Sequence, residues 1–194
     1  MTSAETHIGP SPTATYSDLI GKVAVITGGS RGIGAATAVA LGANGASVAV
    51  VERDRAALDS TVEAVTAQGA KAIGVVADCT VEDDLASLRQ QAEEQLGTID
   101  ILAVFAGGNG MPVPTDSENP AHWREVIETD LTSTFLTVYT FLPDMLARHS
   151  GVIITMASAA ARQAAKSSAA YAAAKAGVIA FSRHLAGEYA HEGI

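Results

Sequence analysis

Short apolar runs alternate with longer helix-like segments along most of this chain. The apolar runs predict strands at residues 23–27, 47–51, 72–77, 99–105 and 152–156. The segments between them predict helices at 33–44, 55–68 and 81–96 and a pair of helices around 121–148, and a last helix carries Tyr171. Strands that alternate with helices form a parallel sheet with helices on both faces. The sequence therefore predicts an α/β fold, a doubly wound parallel sheet in three αβα layers.

Residues 1–20 differ from the rest of the chain. They are small and polar, contain prolines and lack apolar periodicity, which predicts a flexible leader. The remaining residues, 21–194, are expected to form one domain. A chain of 194 residues that is 48% hydrophobic and 17% charged can bury one substantial core.

Charge and cysteine content exclude several classes of protein. The chain has 12 basic and 21 acidic residues and no basic cluster, so nucleic acid is not an expected partner. The one cysteine, Cys79, excludes an internal disulfide, and the five histidines lack metal-ligand spacing, which predicts no metal site. The apolar runs are too short to span a bilayer and no signal peptide is apparent, so we expect a soluble cytoplasmic protein without membrane contact.

A glycine-rich segment follows the first predicted strand. Gly28, Gly32 and Gly34 stand between the strand at residues 23–27 and the helix after it. Glycines allow a tight turn and close approach of the backbone to a pyrophosphate, and N–H groups at the helix start meet its negative charge. In this setting, with an acid at the end of the next strand, the segment predicts a Rossmann-like dinucleotide site.

Tyr171 and Lys175 stand four residues apart in an alanine-rich run, so both lie on one face of the predicted helix. A tyrosine hydroxyl ordinarily keeps its proton at neutral pH, and a nearby cation stabilises the phenolate, which favours proton transfer. Of the four tyrosines, Tyr171 alone has a lysine at this spacing. An isolated pair of this kind is more often a surface pair, and the glycine segment is what favours catalysis.

Together these motifs resemble the classical short-chain dehydrogenase/reductase family. The family's glycine pattern is present as Thr27, Gly28, Gly32 and Gly34, and its catalytic serine, tyrosine and lysine fall on Ser158, Tyr171 and Lys175, with a gap of 13 residues (171 − 158) between the first two. The resemblance implies hydride transfer between a nicotinamide cofactor and a secondary alcohol or ketone. It also implies a homodimer or homotetramer. A non-catalytic nucleotide-binding or scaffold protein and, less favoured, an isomerase or epimerase remain alternatives.

The resemblance also implies a set of site residues. Ser158, Tyr171 and Lys175 would be catalytic, with Asp130 as the fourth member. The implied cofactor-binding residues are Gly28, Ser30, Arg31, Gly32, Ile33, Gly34, Glu52, Arg53, Asp78, Cys79, Ala106, Gly107, Tyr171 and Lys175.

The choice between NAD and NADP depends on the end of the second strand. Glu52 would accept hydrogen bonds from the adenine ribose and repel a 2′-phosphate, which favours NAD. Arg31 and Arg53 stand where relatives bind that phosphate, so they favour NADP unless they are solvated surface charges. NAD is the favoured prediction. Asp78 is either an adenine contact, a turn residue or both, and Cys79 is interpreted as a packing residue.

Two positions depart from the family pattern. Phe105 replaces an asparagine that in relatives ties the central strands together. Asp130 replaces the asparagine of the catalytic tetrad and could still hold its water. However, the charge of Asp130 near Lys175 would offset part of the effect of the lysine on Tyr171, which predicts a displaced pH optimum.

The chain also ends at Ile194, before the sixth strand, the substrate-covering loop and the seventh strand of such relatives. This predicts a fragment of a longer protein or a shortened member, with the sheet truncated after its fifth strand. The strand at residues 152–156 would then form an open sheet edge.

Overall fold

The computed structural model describes residues 15–108 and 111–194. Within them, five parallel strands form one sheet, in the order β3-β2-β1-β4-β5. The strands are β1 (Val23–Thr27), β2 (Ser47–Glu52), β3 (Ala72–Val76), β4 (Ile101–Val104) and β5 (Val152–Thr155). The helices are α1 (Gly32–Ala43), α2 (Arg55–Thr66), α3 (Glu82–Leu96), α4 (Pro120–Ile127), α5 (Ser133–Arg148) and α6 (Ala169–Tyr189). The predicted α/β fold is confirmed.

The sheet is buried on both faces around its centre. β1 is buried along its whole length and pairs with β2 and β4. Since successive side chains of a strand point to opposite faces, Val25 belongs to one apolar cluster and Ile26 to the other. The cluster around Val25 includes side chains of α3, α5 and α6, and the cluster around Ile26 includes side chains of α1 and α2. These are the predicted three layers.

The order of the strands reverses beside β1. The chain runs outward from β1 to β2 and β3, and then returns to the other side of β1 to form β4 and β5. At such a reversal the loops after two neighbouring strands diverge and leave a crevice at the carboxyl ends of the strands. Here the crevice lies between the loop after β1 and the loop after β4.

Polar side chains determine where several helices begin. Asp54 accepts hydrogen bonds from two backbone N–H groups at the start of α2, and Asn119 does the same for α4, which has Pro120 as its first residue. Ser168 caps α6 by accepting from the N–H of Tyr171 at 3.1 Å. This last cap fixes the helical turn that carries Tyr171.

The pair of helices predicted around residues 121–148 corresponds to α4 and α5. A π-helical turn at Glu128–Thr132 separates α4 from α5. A π turn inserts an extra residue into the helical repeat, and such turns are common at functional sites. This turn contains Asp130, whose charged side chain is fully buried.

β5 forms one edge of the described sheet. It pairs with β4, and its inner face is covered by α6, where the hydroxyls of Thr155 and Ser182 lie 2.6 Å apart. On the other face, Val152 and Ile154 are exposed to 53% and 44%. Within the described residues no strand lies beyond β5, as the sequence predicted.

The predicted leader, residues 1–20, is described only from residue 15. Ser17–Leu19 form one 3₁₀ turn, and the N–H of Tyr16 donates to Asn44 Oδ1 at 2.7 Å. The N–H of Gly21 donates to the carbonyl of Gly45. These contacts attach the segment to the end of α1, so the folded domain begins before residue 20.

Candidate active site

A cavity of about 690 Å³ opens at the carboxyl ends of the strands, in the crevice beside β1. Cavities of this size at this position in α/β sheets hold cofactors. It brings together most of the predicted cofactor residues, namely Gly28, Arg31, Ile33, Gly34, Glu52, Arg53, Asp78, Cys79, Ala106 and Gly107. Thr80, Phe105, Gly108, Glu125, Thr129, Ser133 and Met156 line it as well.

The glycine turn between β1 and α1 is packed too closely for side chains. A Cβ atom at Gly34 would lie 2.1 Å from the carbonyl oxygen of Gly28, and one at Gly28 would lie 2.8 Å from the backbone of Phe105. Arg31 stands at the N-cap of α1 and makes no capping hydrogen bond with its side chain. The N–H groups at the start of α1 therefore have no capping side chain, as a pyrophosphate site requires.

Thr27 connects the glycine turn to the loop after β4. Its hydroxyl oxygen accepts from the N–H groups of Phe105 at 3.1 Å and Ala106 at 3.2 Å. Phe105 itself packs against the apolar cluster on the α1 and α2 face. Phe105 cannot make the link that an asparagine makes here in relatives, and the Thr27 hydroxyl joins these segments instead, a role that sequence reasoning missed.

Glu52, at the end of β2, faces the glycine turn. One carboxylate oxygen accepts from the Ser30 hydroxyl at 2.9 Å, and the other accepts from the N–H of Arg53 at 2.9 Å. The Arg53 side chain, which is 68% exposed, lies 3.6 Å from Asp78 in an ion pair. The Arg31 Nε contacts the Ser30 hydroxyl at 3.5 Å. The carboxylate of Glu52 is therefore fixed in the cavity wall.

Asp78 and Cys79 follow β3. The hydroxyl and the N–H of Thr80 both donate to Asp78, and together with Arg53 they hold the pKa of that carboxyl below its usual value, against a smaller opposing effect of burial. Asp78 is therefore a turn residue, one of the two roles predicted for it. Burial raises the pKa of the Cys79 thiol to about 12, and the side chain belongs to the apolar core, in agreement with its interpretation as a packing residue.

α6 places Tyr171 and Lys175 one turn apart, and Lys175 Nζ lies 5.7 Å from the centre of the Tyr171 ring. Lys175 is only 3% exposed, which excludes the alternative of a surface pair. Ser158 precedes a short 3₁₀ turn, and its hydroxyl oxygen accepts from the N–H of Ala160 at 3.2 Å. Lys175 lies directly behind Gly107, a residue of the cavity wall.

Asp130 forms a buried ion pair with Lys175. Its Oδ1 atom lies 3.0 Å from Lys175 Nζ and accepts from the N–H of Gly108 at 2.7 Å. The Asp130 side chain is fully buried. Gly107 has a φ of 126°, and a Cβ there would lie 2.5 Å from Asp130 Oδ1, so the backbone after β4 passes directly against the ion pair. The expected proximity of Asp130 and Lys175 is confirmed.

Glu118 is a buried acid that sequence reasoning missed. Its side chain is 4% exposed, lies 3.0 Å from His122 Nδ1 and accepts weakly from the N–H of Ala170 at 3.4 Å. It therefore contacts the first turn of α6 beside Tyr171. No local signal could have found it, because the contact joins residues 52 positions apart.

The described residues contain no cluster of histidine, cysteine and carboxylate side chains that could hold a metal ion. Nor is any helix in the ranges 15–108 and 111–194 long and apolar enough to cross a membrane.

A family model described as short chain dehydrogenase matches residues 22–194. The chain belongs to this family. The match includes the glycine turn, Asp130 and the Ser158, Tyr171 and Lys175 positions, and it confirms the resemblance found in the sequence. Short chain dehydrogenases are oxidoreductases that act on alcohols and ketones with a nicotinamide cofactor.

Individual short chain dehydrogenases are similar over most of this chain. A short chain dehydrogenase of Pseudocercospora fijiensis is 34% identical over 185 residues, which cover 95% of this chain and 60% of the relative. A cis-4-hydroxycyclohexanecarboxylate dehydrogenase of Sinomonas cyclohexanicum is 38% identical over 173 residues, which cover 89% of this chain and 69% of the relative. The crystal structure of an NAD⁺-bound xylitol dehydrogenase superimposes with a TM-score of 0.86 at 28% identity. The superposition covers 91% of this chain and 68% of the xylitol dehydrogenase chain. The chain thus spans about two thirds of their length.

Proposed function

We propose that this chain carries the catalytic residues of an NAD-dependent oxidoreductase that transfers a hydride between the cofactor and a secondary alcohol or ketone. The observation that carries the proposal is the buried Lys175 ammonium beside Tyr171, directly behind the cavity wall at Gly107. A surface pair would leave the lysine in water, whereas Lys175 is buried and its charge is paired with Asp130. An ammonium 5.7 Å from the centre of the Tyr171 ring would stabilise a phenolate there, which supports the proposal.

Tyr171 acts as the proton donor when a ketone is reduced and as the proton acceptor when an alcohol is oxidised. Lys175 stabilises the phenolate that remains after donation. The Ser158 hydroxyl oxygen already accepts from Ala160, so its own hydrogen is the group that donates to the substrate oxygen. These three side chains hold the reacting oxygen and move one proton to or from it.

The residues of the cavity fit a nicotinamide dinucleotide. The closely packed Gly28 and Gly34 leave the backbone bare, and the start of α1 has no capping side chain, so the turn suits a pyrophosphate. Gly107 and Lys175 are expected to hold the nicotinamide ribose. When bound, the nicotinamide supplies or accepts the hydride.

The preference for NAD over NADP rests on Glu52. Its carboxylate is held in the cavity wall by Ser30 and by the backbone of Arg53, where a 2′-phosphate would meet its negative charge. Arg53 is drawn toward Asp78 and is largely exposed. Titration with NADH and NADPH tests the preference. We expect tighter binding of NADH, and Glu52→Ala should reduce the difference at least about tenfold, equal to about 1.4 kcal/mol.

Tyr171→Phe tests the catalytic proposal. The variant removes one hydroxyl and keeps the ring, so it should bind NADH like the wild-type chain and lose at least about 10²-fold in kcat on a panel of small ketones. Tyr16→Phe is the matched control, because Tyr16 is exposed and distant in sequence from the catalytic residues. This variant should have the kcat of the wild-type chain. If NADH binds and neither protein oxidises it with any ketone, the chain is a nucleotide-binding protein instead.

We infer that α5 also takes part in a homo-oligomer. Phe135 and Tyr139 stack on the outer side of this helix and are exposed to 46% and 62%, and Phe181 of α6 meets the edge of Phe135. An aromatic group of this kind favours burial against a second protein surface. A homodimer or homotetramer through α5 and α6 is the expected assembly. A cytoplasmic location remains a prediction.

A further inference from the structure

We propose that Glu118 is a positioning residue, which fixes the first turn of α6 and thereby the place of Tyr171. The inference rests on the proposed function, because it concerns the residue that transfers the proton. The Oε2 atom of Glu118 accepts from the N–H of Ala170, 52 residues away, at 3.4 Å, and its Oε1 atom lies 3.0 Å from Nδ1 of His122. One carboxylate therefore joins the start of α4 to the start of α6.

The contact completes the cap of α6. The first N–H groups of an α-helix have no partner within the helix. In α6 the hydroxyl of Ser168 accepts from the N–H of Tyr171 at 3.1 Å, and Glu118 accepts from the N–H of Ala170. Negative charge near a helix N-terminus is also favourable to the helix dipole. The cap of α6 is therefore supplied by its own N-cap residue and by a second residue that belongs to another part of the fold.

The burial of this contact makes it hard to replace. The side chain of Glu118 is 4% exposed, and Ser168 and Ala170 are fully buried. If the carboxylate were removed, the N–H of Ala170 would lose its acceptor in a place with little water, which costs more than losing an exposed hydrogen bond. The first turn of α6 would relax to find another acceptor.

The carboxylate stands at a position where an apolar residue is common. Asn119 is the N-cap of α4, so Glu118 directly precedes a cap. A residue there often packs against the fourth residue of the helix, which in α4 is Trp123, in a hydrophobic staple. A buried carboxylate is costly at such a position unless it has polar partners. The partners of Glu118 include the backbone of α6, so its role extends beyond the start of α4.

His122 gives the carboxylate a fixed direction. It lies in the first turn of α4, its own N–H donates to Asn119 Oδ1 at 2.9 Å, and its ring contacts one oxygen of Glu118. The other oxygen of Glu118 then points to Ala170. The pair of His184 and Glu188 on α6 has the same spacing along the helix, but its side chains are 75% and 51% exposed. That pair serves as a reference for a surface contact of the same chemistry.

The consequence for the site follows from two points of attachment. Glu118 holds the first turn of α6 at Ala170, and Asp130 holds Lys175 in the next turn at 3.0 Å. Without Glu118 the turn that carries Tyr171 shifts, while Lys175 stays on Asp130. A misplacement of about 1 Å can lower a reaction rate about 10²-fold. Glu118 therefore acts on kcat through Tyr171, and NADH binding at the glycine turn is spared.

Three substitutions of Glu118 separate the reach of the side chain from its charge. Glu118→Leu removes the acceptor and supplies an apolar staple residue, Glu118→Asp keeps the charge but withdraws it by one methylene, and Glu118→Gln keeps the length and an acceptor. We expect Glu118→Leu and Glu118→Asp to lower kcat on a ketone at least about tenfold and to bind NADH within about threefold of wild type. Glu118→Gln should keep kcat within about threefold. Glu188→Leu is the matched control and should change neither quantity.

Amide hydrogen exchange, followed by NMR, tests the contact without any turnover. The amides of β1 report global unfolding and serve as the internal reference. Relative to them, the N–H of Ala170 should exchange at least about tenfold faster in Glu118→Leu and Glu118→Asp than in wild type and Glu118→Gln. A role in stability alone would lower Tm and leave kcat unchanged.

Unchanged exchange of Ala170 in Glu118→Leu would overturn the contact, and faster exchange with wild-type kcat would overturn the positioning of Tyr171. If Glu118→Leu does not fold, Glu118→Asp decides the proposal by the same two measurements. A wild-type chain that binds NADH without turning over any alcohol or ketone contradicts the proposed function. The exchange of Ala170 still decides in that case whether Glu118 fixes the first turn of α6.

Discussion

Gly34→Ala is the substitution whose consequence follows most directly from a distance in the structure. The added Cβ would lie 2.1 Å from the carbonyl oxygen of Gly28 and 2.9 Å from the Cα of Gly29. Both neighbours are backbone atoms of the glycine turn, so relief requires α1 and the turn to separate by about 1 Å. Such overpacking costs about 1–3 kcal/mol. The better helix propensity of alanine returns about 0.5–1 kcal/mol of this.

The net destabilisation is therefore about 0–2.5 kcal/mol, which corresponds to a fall in Tm of up to about 10 °C for a chain of this size. The displaced turn should also lose at least one charge-assisted hydrogen bond to the pyrophosphate, which weakens NADH binding about tenfold or more. Circular dichroism melts and NADH titration measure the two effects.

Gly187→Ala is the matched control for this prediction. Gly187 lies in α6, and a Cβ there meets nothing within 4 Å, so the same substitution should raise Tm slightly and leave NADH binding unchanged. The reasoning is refuted if Gly34→Ala melts at or above the temperature of Gly187→Ala and binds NADH with wild-type affinity.

Three further predictions concern other parts of the chain. Burial raises the pKa of the Cys79 thiol from 9.0 to about 12, so the ionised fraction at pH 8 falls from about 10⁻¹ to about 10⁻⁴. Iodoacetamide should therefore label Cys79 at least about 10³-fold more slowly in the folded chain than in urea. Equal labelling rates would contradict the burial of the thiol. The pKa of Asp78 is lowered from its ordinary value of 3.8, so its carboxylate stabilises the fold above pH 3.8, and this stability is lost as the pH falls through the folded-state pKa. Thr80→Val removes one hydrogen bond to this carboxylate and should therefore unfold at a higher pH in an acid titration. An unchanged midpoint would contradict the role of that hydrogen bond. Phe135→Asp should convert the wild-type oligomer to monomers in light scattering, and a monomeric wild type would show that the proposed α5 interface is wrong.

The strands were predictable because a strand that is buried on both faces has an uninterrupted apolar sequence. The runs at residues 23–27 and 47–51 are apolar throughout, and they form β1 and β2 with almost the predicted bounds. The glycine turn was predictable for a related reason, since close backbone packing permits few residue types at Gly28 and Gly34. Both features depend on residue type and on local order along the chain.

The contacts that organise the site were harder to predict. The pattern at residues 121–148 predicts a pair of helices, but nothing in it predicts that a π turn joins them or that this turn buries Asp130. The direct ion pair of Asp130 with Lys175 joins residues far apart in sequence, and so does the link from Thr27 to Phe105. Such contacts depend on how helices pack on the sheet and on side-chain rotamers, which composition and periodicity do not encode.

The exposed edge at β5 has a consequence for how this chain behaves in concentrated solution. The segment Val152–Thr155 is β-branched throughout, carries no charge and contains no proline, and two of its side chains are open to water on one face. At a sheet edge, a strand of this composition can pair with a strand from another molecule. Charged residues beside such a strand oppose this pairing, and there are none between Ser150 and Ala161. We therefore expect β5 to favour strand addition between molecules, and a lysine at Val152 or Ile154 to reduce it.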